Sequence, residues 1–350
     1  MARIRMMAGR GRLPRRCATM DPSMFGQMGG DGGLDMAAMI DGFWDSPLVA
    51  QFAFQPRPQT KGAELGTGQT DGEIDCDGGG TCGYRMYGME PSKCGAVVVY
   101  FHGNAEICTD LSHAISSFHG AGVAALSVDF RGYGWSKGQP SMKKLCPDAE
   151  KVHAAVPAIL EAAGLTGIPI VLFGRSMGAT CAVHLGTTHP EAYAGVILES
   201  GLQTVKDLPM LAPLSMMIPN GQQMLAMVPE PLGTLEKMQS LTLPLLMIHG
   251  DRDEIVPLRQ AQAAHRCCPS TDKTLTQLSG GHNDLLLVAA DKYFDAVKTF
   301  VTKLTAPPVT AEAVAEMGVK ELKSALASRG VDFSHCVEKS ELVALLQGTL

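Results

Sequence analysis

Ile168-Pro169-Ile170-Val171-Leu172-Phe173 runs directly into Gly174-Arg175-Ser176-Met177-Gly178, and a segment of helical period, Ala179 to His189, follows. A short, wholly apolar run of this kind reads as a strand buried on both faces. The motif behind it is a G-x-S-x-G. Between a strand and a helix, that motif holds its serine on a turn so tight that the backbone is strained and the hydroxyl stands above the sheet. Glycines two residues to either side of Ser176 remove the Cβ atoms that would collide there. The helix N-terminus favours negative charge developing beside the serine oxygen. The bare pattern arises often by chance, as a Gly/Ser loop without chemistry; the strand before it and the helix after it make it specific.

The same reading extends outward. Ala96 to Phe101 (AVVVYF), Ala124 to Phe130 (AALSVDF), Ala194 to Leu198 (AGVIL) and Leu243 to Ile248 (LPLLMI) are further short apolar runs, and Lys273–Leu278 is a last candidate strand. Segments of helical period, such as Ser141–Ala163, lie between the earlier runs. The alternation predicts a mostly parallel, doubly wound α/β sheet covered on both faces. Such a sheet carries function beyond the carboxyl ends of its strands. The unusual residues fall there: His102-Gly103-Asn104-Ala105, the Ser176 motif, His249-Gly250-Asp251-Arg252-Asp253 and Gly280-Gly281-His282-Asn283-Asp284.

A serine alcohol needs a base at neutral pH. Of the ten histidines, His102 and His249 end strands directly, where a structural hydrogen bond is the commoner role. His282 sits in a glycine-flanked loop after the last strand and before a terminal helix over Asp284–Lys303, and it gives the chain order serine, acid, histidine. Asp251, Asp253, Glu254 and Glu199 are the candidates for the orienting acid. Asp253 has the reach to come over the sheet edge, Asp251 suits local turn bonds, and Glu199, at the end of the preceding strand, is the serious rival. Acyl transfer also requires an oxyanion hole of preorganised N–H donors. Met177, next after the serine, and Asn104, in the loop after the first run, are the expected contributors.

These motifs together resemble the α/β-hydrolase-domain serine hydrolases that include protein depalmitoylases. The matching residues are FHGNAE (101–106), DFRGYGWSKGQPS (129–141), GRSMG (174–178), LESG (198–201), IHGDRDEIVP (248–257) and GGHND (280–284), with the lead-in Phe52-Ala53-Phe54-Gln55-Pro56. The resemblance spans about Phe52 to Leu304. It implies the α/β-hydrolase fold, a triad of Ser176, Asp253 and His282, and a structural role for the Asp129–Gly134 loop. In that group the pattern G-x-x-D-x-x-V-P carries the acid, which favours Asp253. The depalmitoylases also bear an N-terminal cysteine cluster for their own acylation; here only Cys17 precedes Cys76.

Thr305-Ala306-Pro307-Pro308 reads as a linker. Beyond it two short helices are expected, with apolar residues at Val319, Leu322 and Leu326 and at Leu342, Leu345 and Leu346. This tail resembles the SAP-like module of ARMET proteins, which implies a binding role. Its mixed charge favours a protein partner or a plain appendage over nucleic acid. The predicted organisation is a disordered or targeting segment over 1–50, the hydrolase over 51–304, a linker over 305–309 and the helical module over 310–350. Within the hydrolase, the insert 203–242 is a short cap holding Met210, Met216, Met217, Met224, Met227 and Met238. Two readings stay open for it: an adaptable cover suited to acyl chains, or core packing.

Composition sets the outer limits. The 350 residues are 45% hydrophobic and 18% charged with a formal net charge of −6, which gives no signal for nucleic acid. Arg3, Arg5, Arg10, Arg12, Arg15 and Arg16 precede the first acidic residue, Asp21; without these six of the 29 basic residues, 23 face 35 acidic ones, a balance of −12. Three readings stand level for that start: an organelle transit peptide, a disordered tail, or an extension ahead of a start at Met20. No run approaches the ~18 apolar residues that span a bilayer. The ten cysteines contain no CxxC pair, Cys267-Cys268 reads as packing or surface, and Cys108, Cys146 and Cys181 fall on helices or their approaches, so a reducing intracellular compartment is expected. No cofactor motif and no zinc spacing is present. The expected activity is hydrolysis of acyl esters or thioesters, including those of lipidated proteins and with peripheral membrane contact, through an acyl-enzyme. The alternatives are a non-catalytic scaffold presenting the tail, and an amidase or peptidase on the same fold.

Overall fold

The computed structural model describes residues 53–209, 221–305, 311–328 and 331–348, together with residues 44, 50, 211, 215 and 216. The Arg-rich start and the expected Pro307-Pro308 linker lie outside the described residues. Eight strands form one sheet: β1 Gln69–Cys76, β2 Gly80–Tyr87, β3 Ala96–Phe101, β4 Val123–Val128, β5 Ile170–Arg175, β6 Gly195–Glu199, β7 Leu245–Gly250 and β8 Lys273–Leu278. Their order is β1-β2-β4-β3-β5-β6-β7-β8. β1 and β2 pair antiparallel, as do β2 and β4, and every neighbour from β4 to β8 pairs parallel. This is the α/β-hydrolase fold.

The helices are α1 Ile115–Gly120, α2 Leu145–Ala162, α3 Ala179–Thr188, α4 Gly221–Met227, α5 Thr234–Met238, α6 Leu258–Cys267, α7 Leu285–Val288, α8 Ala290–Thr305, α9 Ala311–Glu316, α10 Val319–Ser328 and α11 Lys339–Gln347. The period of two in the central strands sorts their side chains into two apolar layers. Val97, Val99 and Phe101 of β3 join Val152 and Val156 of α2, Val183 of α3 and Ala264 of α6. Ala96, Val98 and Tyr100 join Phe118 of α1 and Val297 and Phe300 of α8. Burial on both faces is why β3 through β7 read as unbroken apolar runs.

Three expectations need correction. The β1–β2 hairpin went unpredicted, because β1 is a half-exposed edge strand and β2 buries a charge instead of an alkyl chain. Arg85 donates to Asp71 from Nε at 2.7 Å and from Nη2 at 2.8 Å, across the hairpin. The terminal helix is not one piece: α7 ends at Val288, and Ala289, whose φ of −140° and ψ of 26° are not helical, separates it from α8. The described residues of the tail form three helices where two were expected. α9 adds Val314 to a separate apolar cluster with Leu322 and Leu326 of α10 and Leu342 and Leu346 of α11.

Candidate active site

Ser176 lies where β5 turns into α3, with φ +50°, a left-handed conformation that a serine adopts only under constraint. The flanking glycines supply the constraint. A Cβ on Gly174 would sit 2.5 Å from Ala179 Cα, and one on Gly178 would sit 2.0 Å from the carbonyl oxygen of Phe101. Neither neighbour can give way, since both are backbone.

Ser176 Oγ is 2.9 Å from His282 Nε2, and His282 Nδ1 is 2.8 Å from Asp253 Oδ2. All three residues are buried. Asp253 follows β7, and its Oδ1 also accepts the backbone N–H groups of Ile255 at 3.0 Å and Val256 at 2.8 Å. Burial pushes this carboxyl up, but the hydrogen bond and charge of His282, the Val256 N–H and His249 outweigh it and hold it below the usual carboxylate range. An ionised carboxylate can only accept, so His282 Nδ1 donates to it, and Nε2 of the neutral ring accepts the serine proton. His249 donates from Nε2 to the Val256 carbonyl at 2.8 Å, and burial holds its pKa below the ordinary imidazole value.

The loops after β7 and β8 brace each other through Asp251. Its N–H donates to the Leu278 carbonyl, and its Oδ1 accepts the Gly280 N–H at 3.0 Å. Glu199, the rival acid, is not brought to His282. Its Oε1 accepts from Arg175 Nε at 3.1 Å and its Oε2 from the Tyr293 hydroxyl at 2.7 Å.

Asn104 stands in the loop after β3. Its Oδ1 accepts from Gln55 N, Tyr133 Oη and Ala105 N at 2.9, 2.6 and 3.1 Å, while Nδ2 donates to the Ala53 carbonyl at 3.0 Å. Its side chain thus anchors the loop to the lead-in and takes no part in receiving an oxyanion. A Cβ on Gly103 would fall 3.4 Å from Ser176 Cβ, so this loop runs beside the serine. Met177 is the second residue of the 3-10 turn Ser176–Gly178, where N–H groups have no partner within the turn.

Sequence reasoning passed over Arg175, Glu106, Tyr133 and Asn283, which tie these loops together. Their positions carry no shared spacing; the one signal available was a charged residue inside an otherwise apolar turn. His102 is also structural: Nδ1 bonds the Gly103 carbonyl at 2.8 Å, and its ring packs against Phe130 and Tyr133.

Of the cap methionines, Met238 is wholly buried in the core, whereas Met216 and Met227 are 70% and 61% exposed. Nothing is described for the side chains of Met210, Met217 and Met224. Ile255, Leu286, Leu287 and Val288, in or next to the loops that carry Asp253 and His282, are also exposed.

Among the described residues one set of metal-ligating groups converges, Cys76, Cys82 and Asp148. Asp148 is already gripped by both arms of Arg131, at 2.5 and 2.6 Å. Two thiols beside a neutralised carboxylate do not fit a four-ligand zinc site. Cys267 and Cys268 bond nearby carbonyls, of Ala264 and Leu241. No described helix is long and apolar enough to cross a membrane.

Residues 92–231 match the family profile described as serine aminopeptidase, S33. Residues 309–347 match the profile described as E3 ubiquitin-protein ligase rififylin-like domain, so the tail's match is to that domain and not to the ARMET module. Over 209 residues the chain is 32% identical to alpha/beta hydrolase domain-containing protein 17C of Xenopus tropicalis, covering 59% of this chain and 61% of the relative. The Homo sapiens protein of the same name is 30% identical, with 59% and 57% covered. The chain therefore spans 57–61% of the length of these curated relatives. Among solved structures, an esterase of Pyrococcus furiosus superposes with a TM-score of 0.56 at 18% identity, covering 71% of this chain and 99% of that one. A soluble variant of the monoglyceride lipase of Saccharomyces cerevisiae gives 0.55 at 18% identity, with 73% and 99% covered. By strand order, and by its likeness to this profile, these relatives and these structures, the chain has the α/β-hydrolase fold.

Proposed function

We propose that the protein is a serine hydrolase that cleaves acyl esters or thioesters. The observation that carries this reading is the continuous hydrogen-bonded line from Ser176 Oγ through His282 to Asp253, at 2.9 and 2.8 Å. His282 Nε2 takes the serine proton as Oγ attacks the acyl carbon. The backbone N–H groups of Met177 and Asn104 receive the oxyanion that forms. When the tetrahedral species collapses, His282 returns the proton to the departing alcohol or thiol, leaving the acyl group on Ser176. Water, deprotonated by the same imidazole, then releases the carboxylic acid and restores the serine. Asp253 holds the ring in the required tautomer and stabilises its cation.

The exposed apolar residues Met216, Met227, Ile255 and Leu287 support an acyl chain or a lipidated protein as the group received. The private core of α9–α11 supports a separate helical module that takes a protein partner. Amide or peptide hydrolysis on the same residues is the second reading, favoured by the description of the profile over 92–231.

The test is labelling by a fluorophosphonate probe, followed by turnover of p-nitrophenyl esters and acyl thioesters of rising chain length beside aminoacyl p-nitroanilides. Wild type should label and Ser176→Ala should not, with a turnover loss of several orders of magnitude. Equal labelling of the two sinks the serine assignment, and faster anilide than ester turnover selects the peptidase.

A further inference from the structure

Arg175 occupies the position of the Gly174–Gly178 motif just ahead of the serine, where the pattern prescribes nothing. Its side chain turns inward and is 10% exposed. Nε donates to Glu199 Oε1 at 3.1 Å, and Nη1 lies 2.9 Å from Glu106 Oε1. Nη2 donates to the carbonyl oxygen of His282 and to Asn283 Oδ1, each at 2.9 Å. The two carboxylates are filled in turn: Glu199 Oε2 by the Tyr293 hydroxyl at 2.7 Å, Glu106 Oε2 by the Gly103 N–H at 2.6 Å.

We infer that Arg175 is a positioning residue for the hydrolysis: its guanidinium locks the His282 loop and, through Glu106 and the Gly103 N–H that it accepts, the loop that carries Asn104 in the register that Ser176 needs. This rests on the reading of Ser176, His282 and Asp253 given above. A buried cation is costly to desolvate unless fully paired. Each of the three nitrogens of Arg175 has a partner, and both carboxylates keep it charged against its burial. Holding a chain at this position by packing alone would not require so many charges. What a guanidinium adds is a rigid planar fork that fixes several directions at once, which an ammonium cannot do. The fork points to the two loops whose placement acyl transfer depends on. The pair also lies flush on Gly103, where a Cβ would come within 2.6 Å of Nη1 and 2.9 Å of Glu106 Oε2.

The experiment uses the full chain, on a short p-nitrophenyl ester, well below each variant's Tm, with active sites counted by probe titration. Arg175→Met should lower kcat by about 10²-fold, the effect of roughly ångström-scale misplacement, with KM within about threefold. Arg175→Lys should rescue less than about a tenth of the loss, because charge without the fork is insufficient. The inhibition constant of a trifluoromethyl ketone, which forms the tetrahedral species, should rise in step with the loss in kcat/KM. If Arg175→Met does not fold, Glu106→Gln, at a side chain 30% exposed, tests the same link and should cost about tenfold in kcat at an unchanged Tm. Wild-type kcat and ketone affinity in the folded variant, or full rescue by lysine, overturn the inference. Failure of the wild type itself to label at Ser176 overturns the hydrolase reading instead.

Discussion

Replacing Asp253 by asparagine keeps the shape of the side chain and removes its charge, so it isolates what that charge does for His282. The carboxylate side chain is fully buried, and its Oδ2 lies 2.8 Å from Nδ1. In the transition state the ring becomes a cation at that distance. With an effective dielectric of about 20, a unit pair at 2.8 Å is worth about 6 kcal/mol, or on the order of 10⁴ in rate. Asparagine can also turn its NH2 toward Nδ1 and so select the wrong tautomer, a loss of similar size and not fully additive to the first. The expectation is therefore a fall in kcat of about 10⁴ for a short ester, with fluorophosphonate labelling slowed in parallel and Tm changed little. Glu199→Gln, which alters only the contacts to Arg175 and Tyr293, should cost no more than about tenfold. A loss below about 30-fold for Asp253→Asn, or a larger loss for Glu199→Gln, would refute the assignment of the acid.

Other expectations follow from single contacts. Gly178→Ala would drive a Cβ to 2.0 Å from the Phe101 carbonyl; at about 3 kcal/mol or more, Tm should fall by roughly 6–12 °C, and a variant that melts and turns over like wild type contradicts the turn geometry. His153, His184 and His249 are each held below the ordinary imidazole value, chiefly by burial. They bind fewer protons folded than unfolded, so stability should fall as the pH drops through about 6.5, and a Tm no lower at pH 5.5 than at pH 7.5 would be the opposite result. Truncation after Thr305 should leave turnover of a short ester within about twofold, because α9–α11 have their own apolar cluster; collapse of turnover at an unchanged Tm would place the tail in the active site.

The five central strands were legible because each is buried on both faces, which leaves no choice but apolar side chains. β1 and β2 were not: hydropathy has no entry for a strand whose buried element is the Arg85–Asp71 pair. α9 escaped because Val314 is its one fully buried described side chain, too little for a period. Ser176, His282 and Asp253 were readable from where they follow β5, β8 and β7. Choosing Asp253 over Glu199 needed the resemblance, since both end or follow a suitable strand. In the structure His282 meets Asp253, whereas Glu199 goes to Arg175 and Tyr293. Arg175 itself was out of reach, because its partners at 106, 199, 282 and 283 come from two separate loops and the end of β6, and no local pattern links them.

Among the described residues no strand pairs with the outer edge of β1, and an unpaired edge is a template for another chain. Its sequence, Gln69-Thr70-Asp71-Gly72-Glu73-Ile74-Asp75-Cys76, presents Glu73 and Asp75 to solvent. Glu73 is matched there by Lys61 at 3.6 Å and Lys137 at 3.4 Å, and charged side chains of this kind are how natural sheets guard an unpaired edge against aggregation. Neutralising both acids as Glu73→Val and Asp75→Val would convert that edge into an adhesive one. The charged character that hid the strand from hydropathy is thus of the kind that guards a sheet edge against another chain.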